Sequence, residues 1–271
     1  MAGKVTKQQR DDEALLQKHN LLPDLNRFAR DEGGRQSFLA YTQATLAALR
    51  PLDRAINPEQ IRQAVAAVHK VIQDAQVQLE KQFIMLPQGG KAKIACKAGC
   101  GWCCVVRVGA APAEVLALAD RLKRTLPDSD LELLKAEVQA YAWRLAPLGN
   151  EQKRAERMPC PLLQSESCSA HSHRPGNCRG YNSLDVLACK TGNTRPTHPI
   201  HKLVQQAAND ALDRVLAHFG LPTQEAELVS ALSIALTEES SWTAFLAGTN
   251  PFSFVPYPAI LTDSGVAGDA S

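Results

Sequence analysis

No apolar run in the chain approaches the roughly 18 residues that a membrane span requires. Met1 to Asp12 alternates Lys, Arg and Gln with no apolar stretch behind it, so nothing there resembles a secretory leader, and a cytoplasmic protein is expected. With 30 basic and 28 acidic residues the net charge is +2, which leaves no global field suited to wrapping nucleic acid or docking on an anionic membrane. Charge identifies no other partner. There is no internal repeat, no parallel βαβ alternation and no Gly-rich phosphate loop, so a phosphate-cradling fold of that kind is excluded. No Ser-His-Asp arrangement or paired-carboxylate motif stands out from position alone.

What remains is a 271-residue chain of 45% hydrophobic composition, enough to build a core without metal or disulfides for want of size. From Asn57 the pattern is helical, with Pro58 in the first turn and Ile61, Val65, Val68, Ile72, Ala75, Leu79 and Phe83 at steps of four and three. That helix should end near Leu86-Pro87, where Gly89-Gly90 opens the cysteine-rich part. Residues 12–30 and 36–50 read as two earlier helices, the second stopped by Pro51. Val115, Leu118, Ala119, Leu122 and Leu126 share one helical face, and Asp128 or Ser129 can cap a helix running to about Leu145. Residues 198–219 return to helical spacing through Ile200, Leu203, Ala207, Ala211, Val215 and Phe219, before the stop signal Gly220-Leu221-Pro222. One more helix is expected over 224–247.

The expected architecture is mainly α: a single helical domain with an irregular cysteine-rich metal-binding segment. Residues 1–93 form its N-terminal helical part, 94–190 the cysteine region with inserted helices, and 191–261 a C-terminal helical part. The small, polar residues 262–271 read as a disordered tail.

All eight cysteines fall in two short blocks. The first is Cys96-Lys-Ala-Gly-Cys100-Gly-Trp-Cys103-Cys104, and the second spreads Cys160, Cys168, Cys178 and Cys189 over thirty residues. Buried cysteines acting as small hydrophobes would be scattered among the helices. Thiols kept reduced in the cytosol point instead to metal or catalysis. Thiolates are soft, anionic ligands suited to zinc or iron clusters, and Gly99 and Gly101 flank Cys100 as a ligand-bearing turn would want. Neighbouring Cys103 and Cys104 diverge from one backbone, so either one of them packs or the site is polynuclear or double. Pro159 and Pro161 fix the backbone around Cys160. Eight sulfurs make two four-ligand sites or one site with spare thiols, and the sequence does not partition them.

These residues resemble the bacterial YkgJ-type cysteine-cluster proteins, a family described as a zinc- or iron-chelating domain. Its pattern of a first cysteine, a Cys-x-x-Cys-Cys run, a Cys before a hydrophobic pair, another Cys and Arg-Pro-x-x-Cys-Arg with a nearby aromatic falls on Cys96, Cys100, Cys103, Cys104, Cys160 with Leu162-Leu163, Cys168, and Arg174-Pro175-Gly-Asn-Cys178-Arg179 with Tyr181. The resemblance covers residues 94 to 182 and implies Cys96, Cys100, Cys103, Cys104, Cys160, Cys168 and Cys178 as metal ligands. Cys189 lies beyond the pattern. The implied cofactor is zinc or an iron-sulfur cluster, four-iron rather than two-iron. Flagellin lysine-N-methylases look similar in this region, which implies an S-adenosylmethionine-dependent alternative. A second enzyme reading comes from Cys96-x-x-x-Cys100-x-Trp102-Cys103, similar to the motif of radical S-adenosylmethionine enzymes, which set it in a (β/α) barrel. An oxidoreductase and a thiol redox switch at Cys100, Cys103 or Cys104 complete the alternatives.

Around the cysteines, Lys91, Lys93 and Lys97 read as a solvated loop or as counter-charges to thiolate, and Arg174 and Arg179 as guanidinium groups pairing with backbone carbonyls or a carboxylate. His171, His173, His198 and His201 are possible zinc ligands, although solvent-facing side chains are expected. Trp102 is expected to pack against a helix.

Overall fold

A computed structural model describes residues 6–81, 84–85, 91–97, 99–148, 152, 157–191 and 197–256. The fold is mainly helical, as expected. Helix α1 spans Lys7–Lys18, where Thr6 and Gln9 cap each other reciprocally. It ends much earlier than the expected 12–30 helix, because Asn20 takes a left-handed φ of 53°. The amides of Asn20 and Leu21 then turn back to the Gln17 and Leu16 carbonyls in a Schellman closure. Only a 3₁₀ turn, Leu25–Arg27, follows before α2.

Helix α2 runs over Glu32–Leu52 and α3 over Pro58–Glu80. Helix α2 ends at Leu52, one residue past the expected stop at Pro51. Asn57 caps α3 by accepting from the Gln60 amide at 3.1 Å, and the expected stripe Ile61, Val65, Val68, Ile72 and Leu79 is buried. Phe83 and Gly89-Gly90 lie outside the described residues. Strands β1 (Ile84–Met85) and β2 (Lys91–Ala92) pair antiparallel beyond α3.

Helices α4 (Pro112–Thr125) and α5 (Asp128–Leu145) follow strand β3 (Gly109–Ala110). The segment expected to be irregular holds a hairpin, β4 (Leu163–Gln164) with β5 (Ser167–Cys168), and two short helices, α6 (Gly176–Gly180) and α7 (Val186–Thr191). Helix α8 (Pro199–His218) closes at Gly220, φ 74°, with the same Schellman bonds as α1. Strand β6 (Ala226–Glu227) then leads into α9 (Leu228–Thr237) and α10 (Ser241–Leu246). The single helix expected over 224–247 is thus two, interrupted where Glu238 leaves the helical region at φ −95°, ψ 105°.

Helices α2, α3 and α8 pack into one layer, and α4 and α5 pack with α9 into another, with α3 touching α4 between them. Leu49, Ile61, Leu116, Leu212, Leu216, Leu232, Phe245 and Phe252 are wholly buried in the shared core. Burying side chains of this size stabilises a fold by about 1.5–3 kcal/mol each. Helix α8 departs from its expected face: Leu203 is exposed and Ile200 partly so, while His201 and Gln205 are buried. Its N-terminal half turns polar side chains toward the cysteine segment. No helix among the described residues is long and apolar enough to cross a membrane.

Candidate metal centre

The first cysteine block is a series of tight turns. The Cys100 amide returns to the Lys97 carbonyl at 3.1 Å across Gly99, whose φ of 80° suits a residue without Cβ. A 3₁₀ turn over Trp102–Val105 then presents Cys103 and Cys104, with the Cys104 amide bonded to the Gly101 carbonyl at 2.9 Å.

Main-chain bonds fasten the second block to the first. The Cys160 amide donates to the Cys104 carbonyl at 2.8 Å, and the Ala95 amide to the Ser183 carbonyl at 2.7 Å. Ser165 and Glu166, at φ 47° and 65°, form a two-residue turn that pairs Leu163 with Cys168. Cys178 rides on α6, which is clamped to α4 and α8. Asn177 donates to the Gly109 carbonyl at 2.9 Å and the Glu225 carboxylate at 2.6 Å, and accepts from Gln205 and Asn209 at 3.0 Å each. The Gly176 amide donates at 2.7 Å to Glu114, which also pairs with His69. A Cβ at Gly176 would collide with the Asn209 carboxamide, so the Arg-Pro-Gly-Asn-Cys-Arg run is shaped to lie against α8.

Two hollows open among these elements. The inner one, about 50 Å³, is lined by Cys103, Cys104, Cys160, Cys168 and Cys178, with Arg107, Arg174, Tyr181 and Glu227. The outer one, about 570 Å³, is lined by Cys96, Cys100, Cys103, Cys104, Cys168 and Cys189, with Trp102, His171, Arg174 and Arg179. Every expected ligand therefore faces a hollow, and Cys103, Cys104 and Cys168 face both. Cys189, which the sequence left outside the set, is carried in by α7 and lies close enough for its charge to act on Cys96. As the side chains stand, no group of three or more His, Cys, Asp or Glu among the described residues converges enough to hold an ion.

Cys96, Cys104, Cys160, Cys168 and Cys178 resist ionisation in this arrangement. Burial, then the mutual repulsion of neighbouring sulfurs, pushes Cys178 well up, and the same two effects raise Cys96. Cys160 is pushed up to about 12, by burial first and then by Cys168 and Glu227. Cys104 is raised by its hydrogen bond with Cys103 and then by burial. Clustered thiolates need a cation among them, and soft divalent metals supply one. The donor set fits such a group.

The arginines take the backbone-pairing role. Arg179 is buried and donates to the Arg174 and Ser172 carbonyls at 2.8 and 2.5 Å, while Arg174 donates to the His171 carbonyl at 3.1 Å. Lys91, Lys93 and Lys97 are exposed. Trp102 is 41% exposed, and the turn that carries it contacts α7, whose Lys190 ammonium stands 5.4 Å from the ring centre. A two-sided fit was not available to it: the 3₁₀ turn aims Cys103 and Cys104 inward and leaves the indole on the rim.

Histidines divide. His171 is solvent-facing as expected and His173 is partly buried, but His198 and His201 are buried at 1% and 2% exposure. Both are held through Nδ1, by the His201 amide and by Asn182 respectively, and both leave a buried Nε2 without a partner. Burial lowers His201 to about 4, with the nearby His198 adding to it, and burial lowers His198 as well, so both rings are neutral.

Glu227 is the site residue that sequence reading missed. It is 4% exposed on the inner wall, and its one sequence signal is a carboxylate directly before the apolar pair Leu228-Val229. Arg107, also buried on that wall, was missed as well, its signal being a single charge enclosed by Val105, Val106 and Val108.

Comparison with curated proteins and with solved structures gave no match. Residues 95–200 match the family model CxxCxxCC, described as a putative zinc- or iron-chelating domain, and this match takes in all eight cysteines.

Proposed function

We propose that the chain chelates zinc or iron through a centre that spans both hollows and is polynuclear or double. Cys96, Cys100 and Cys189 serve its outer part, Cys160 and Cys178 its inner part, and Cys103, Cys104 and Cys168 stand between them. The observation that carries this reading is the sharing of those three cysteines by two adjoining cavities. A single tetrahedral zinc takes four ligands and would leave half of the sulfurs idle. If iron is bound, the expected cluster is four-iron rather than two-iron, either kind taking four thiolates. Arg107 and Arg174 on the inner wall offset part of the thiolate charge.

Metal analysis and an ultraviolet-visible spectrum of anaerobically purified protein test the proposal. Two or more metal equivalents per chain are expected, colourless with zinc, or with broad absorption near ~400 nm where sulfur-to-iron charge transfer falls. One equivalent that survives replacement of Cys189 and Cys96 overturns the spanning centre.

A second reading has one observation of its own. The outer hollow lies within the roughly 300–1,000 Å³ range of small-molecule sites, and Trp102, Arg174 and Arg179 border it. An iron-sulfur enzyme that admits a small substrate beside its cluster is consistent with that space. The radical S-adenosylmethionine form of it loses its scaffold, because strands among the described residues are two residues long and build no barrel. Saturable binding of S-adenosylmethionine to the metal-loaded chain would favour the enzyme; no binding at millimolar ligand would remove the methyl-transfer form.

A further inference from the structure

One wall of the inner cavity carries a donor that is not sulfur. Glu227 Oε2 accepts from the Ser230 amide at 2.8 Å and from the Ser230 hydroxyl at 2.6 Å, which caps α9. Oε1 is buried and has no hydrogen-bond partner. An isolated buried acceptor is costly, and native folds leave few of them. Capping does not explain the residue, because Ser, Thr, Asp and Asn cap helices better than Glu. Glu227 lines the cavity, and the oxygen that its cap leaves over is buried.

That oxygen cannot readily be withdrawn. Gly109 pairs with Glu227 and Ala110 with Ala226 across β3 and β6, while the Leu228 amide donates to the Val108 carbonyl at 2.9 Å. The acid is thereby tied to the chain that leaves the first cysteine block. Cys160 lies near enough to respond to its charge, and Arg107 shares the same wall.

We propose that Glu227 is a metal ligand, its Oε1 completing the inner site as one oxygen beside three sulfurs drawn from Cys104, Cys160, Cys168 and Cys178. This rests on the chelation reading above and adds to it a mixed sulfur-oxygen site. Carboxylate binds zinc at about 2.0–2.2 Å and thiolate at about 2.3 Å, so the two donors are separable at the metal.

X-ray absorption of the full chain loaded anaerobically with zinc, beside the Glu227→Gln variant, is the test. Glutamine keeps a carbonyl oxygen for the Ser230 cap, so circular dichroism and Tm of the metal-free variant should match those of the parent. The parent should show an oxygen shell at the shorter distance in addition to sulfur. The variant should lose that shell and bind zinc at least about tenfold more weakly. A shell of sulfur alone in the parent, or an oxygen shell and affinity unchanged in the variant, overturns the Glu227 proposal and leaves chelation standing. Failure of the parent to bind zinc or iron at all overturns both.

Discussion

The amide of Cys160 donates to the carbonyl of Cys104 at 2.8 Å, so two cysteine blocks separated by the α4–α5 hairpin are joined by backbone before any metal arrives. Few such bonds cross between the blocks, and the sulfurs themselves repel when ionised. Removing metal from the loaded protein should therefore loosen the cysteine segments on either side of the α4–α5 hairpin, 94–108 and 157–182, while the core helices α2, α3, α4 and α8 stay closed. Hydrogen exchange before and after chelation measures this. Unchanged protection across 94–108 and 157–182 would show that metal has no structural role there.

Cysteine replacements should divide by hollow. Cys178→Ser should lower the metal bound by the inner site and spare the outer one, and Cys189→Ser the reverse. Cys103→Ser should reduce both, since its side chain lines both cavities. Metal counted per chain by native mass spectrometry reads the pattern; equal losses from all three variants would indicate one indivisible cluster.

Gly176→Ala drives a methyl group into the Asn209 carboxamide, and Gly180 meets Gln205 in the same way. Overpacking of this kind costs about 1–3 kcal/mol. Denaturant titration should show that loss for Gly176→Ala, and most of it should return when Asn209→Ala is added. Additive losses in the double variant would mean that the clash is relieved elsewhere.

Asp213 gives a pH dependence. Burial, and then repulsion by Glu114, Glu225 and Asp210, pushes its carboxyl up to about 8 in the fold, whereas an unfolded Asp titrates near ~3.9. Between those values the folded chain holds a proton that the unfolded chain has released, so this group makes stability fall as pH rises from about 4 to about 8. Asp213→Asn should leave Tm unchanged near pH 4 and raise it by at least about 2 °C near pH 8. An equal shift at both pH values would point to a cause other than ionisation.

Much of the helical frame was legible because periodicity and end signals agree, as at Asn57-Pro58 and Gly220. Signals of a single residue were less so. Asn20 ends α1 by adopting a left-handed conformation, and its stop signal, Asn20 with Pro23 three residues on, was outweighed in the reading by the apolar residues beyond it. The cysteine run Cys96 to Cys104 and the Arg174 to Arg179 segment were readable as local patterns, since each is a turn whose spacing is its geometry. Cys189 was not, because α7 brings it beside Cys96 through space. His198 and His201 were expected in solvent, as polar residues at a helix start usually are, but the helix turns that polar end onto Asn182. Glu227 carries no motif, only the anomaly of a charge before an apolar helix.

A shared centre is tested most directly by the accessibility of the eight thiols, measured by mass spectrometry after brief alkylation of the metal-loaded and metal-stripped protein. Coordination predicts that loading protects cysteines of both blocks together, Cys96, Cys100 and Cys189 along with Cys160 and Cys178, and that stripping exposes them together. Alkylation at the same rate in both states, or protection confined to one block, would contradict a centre built from both.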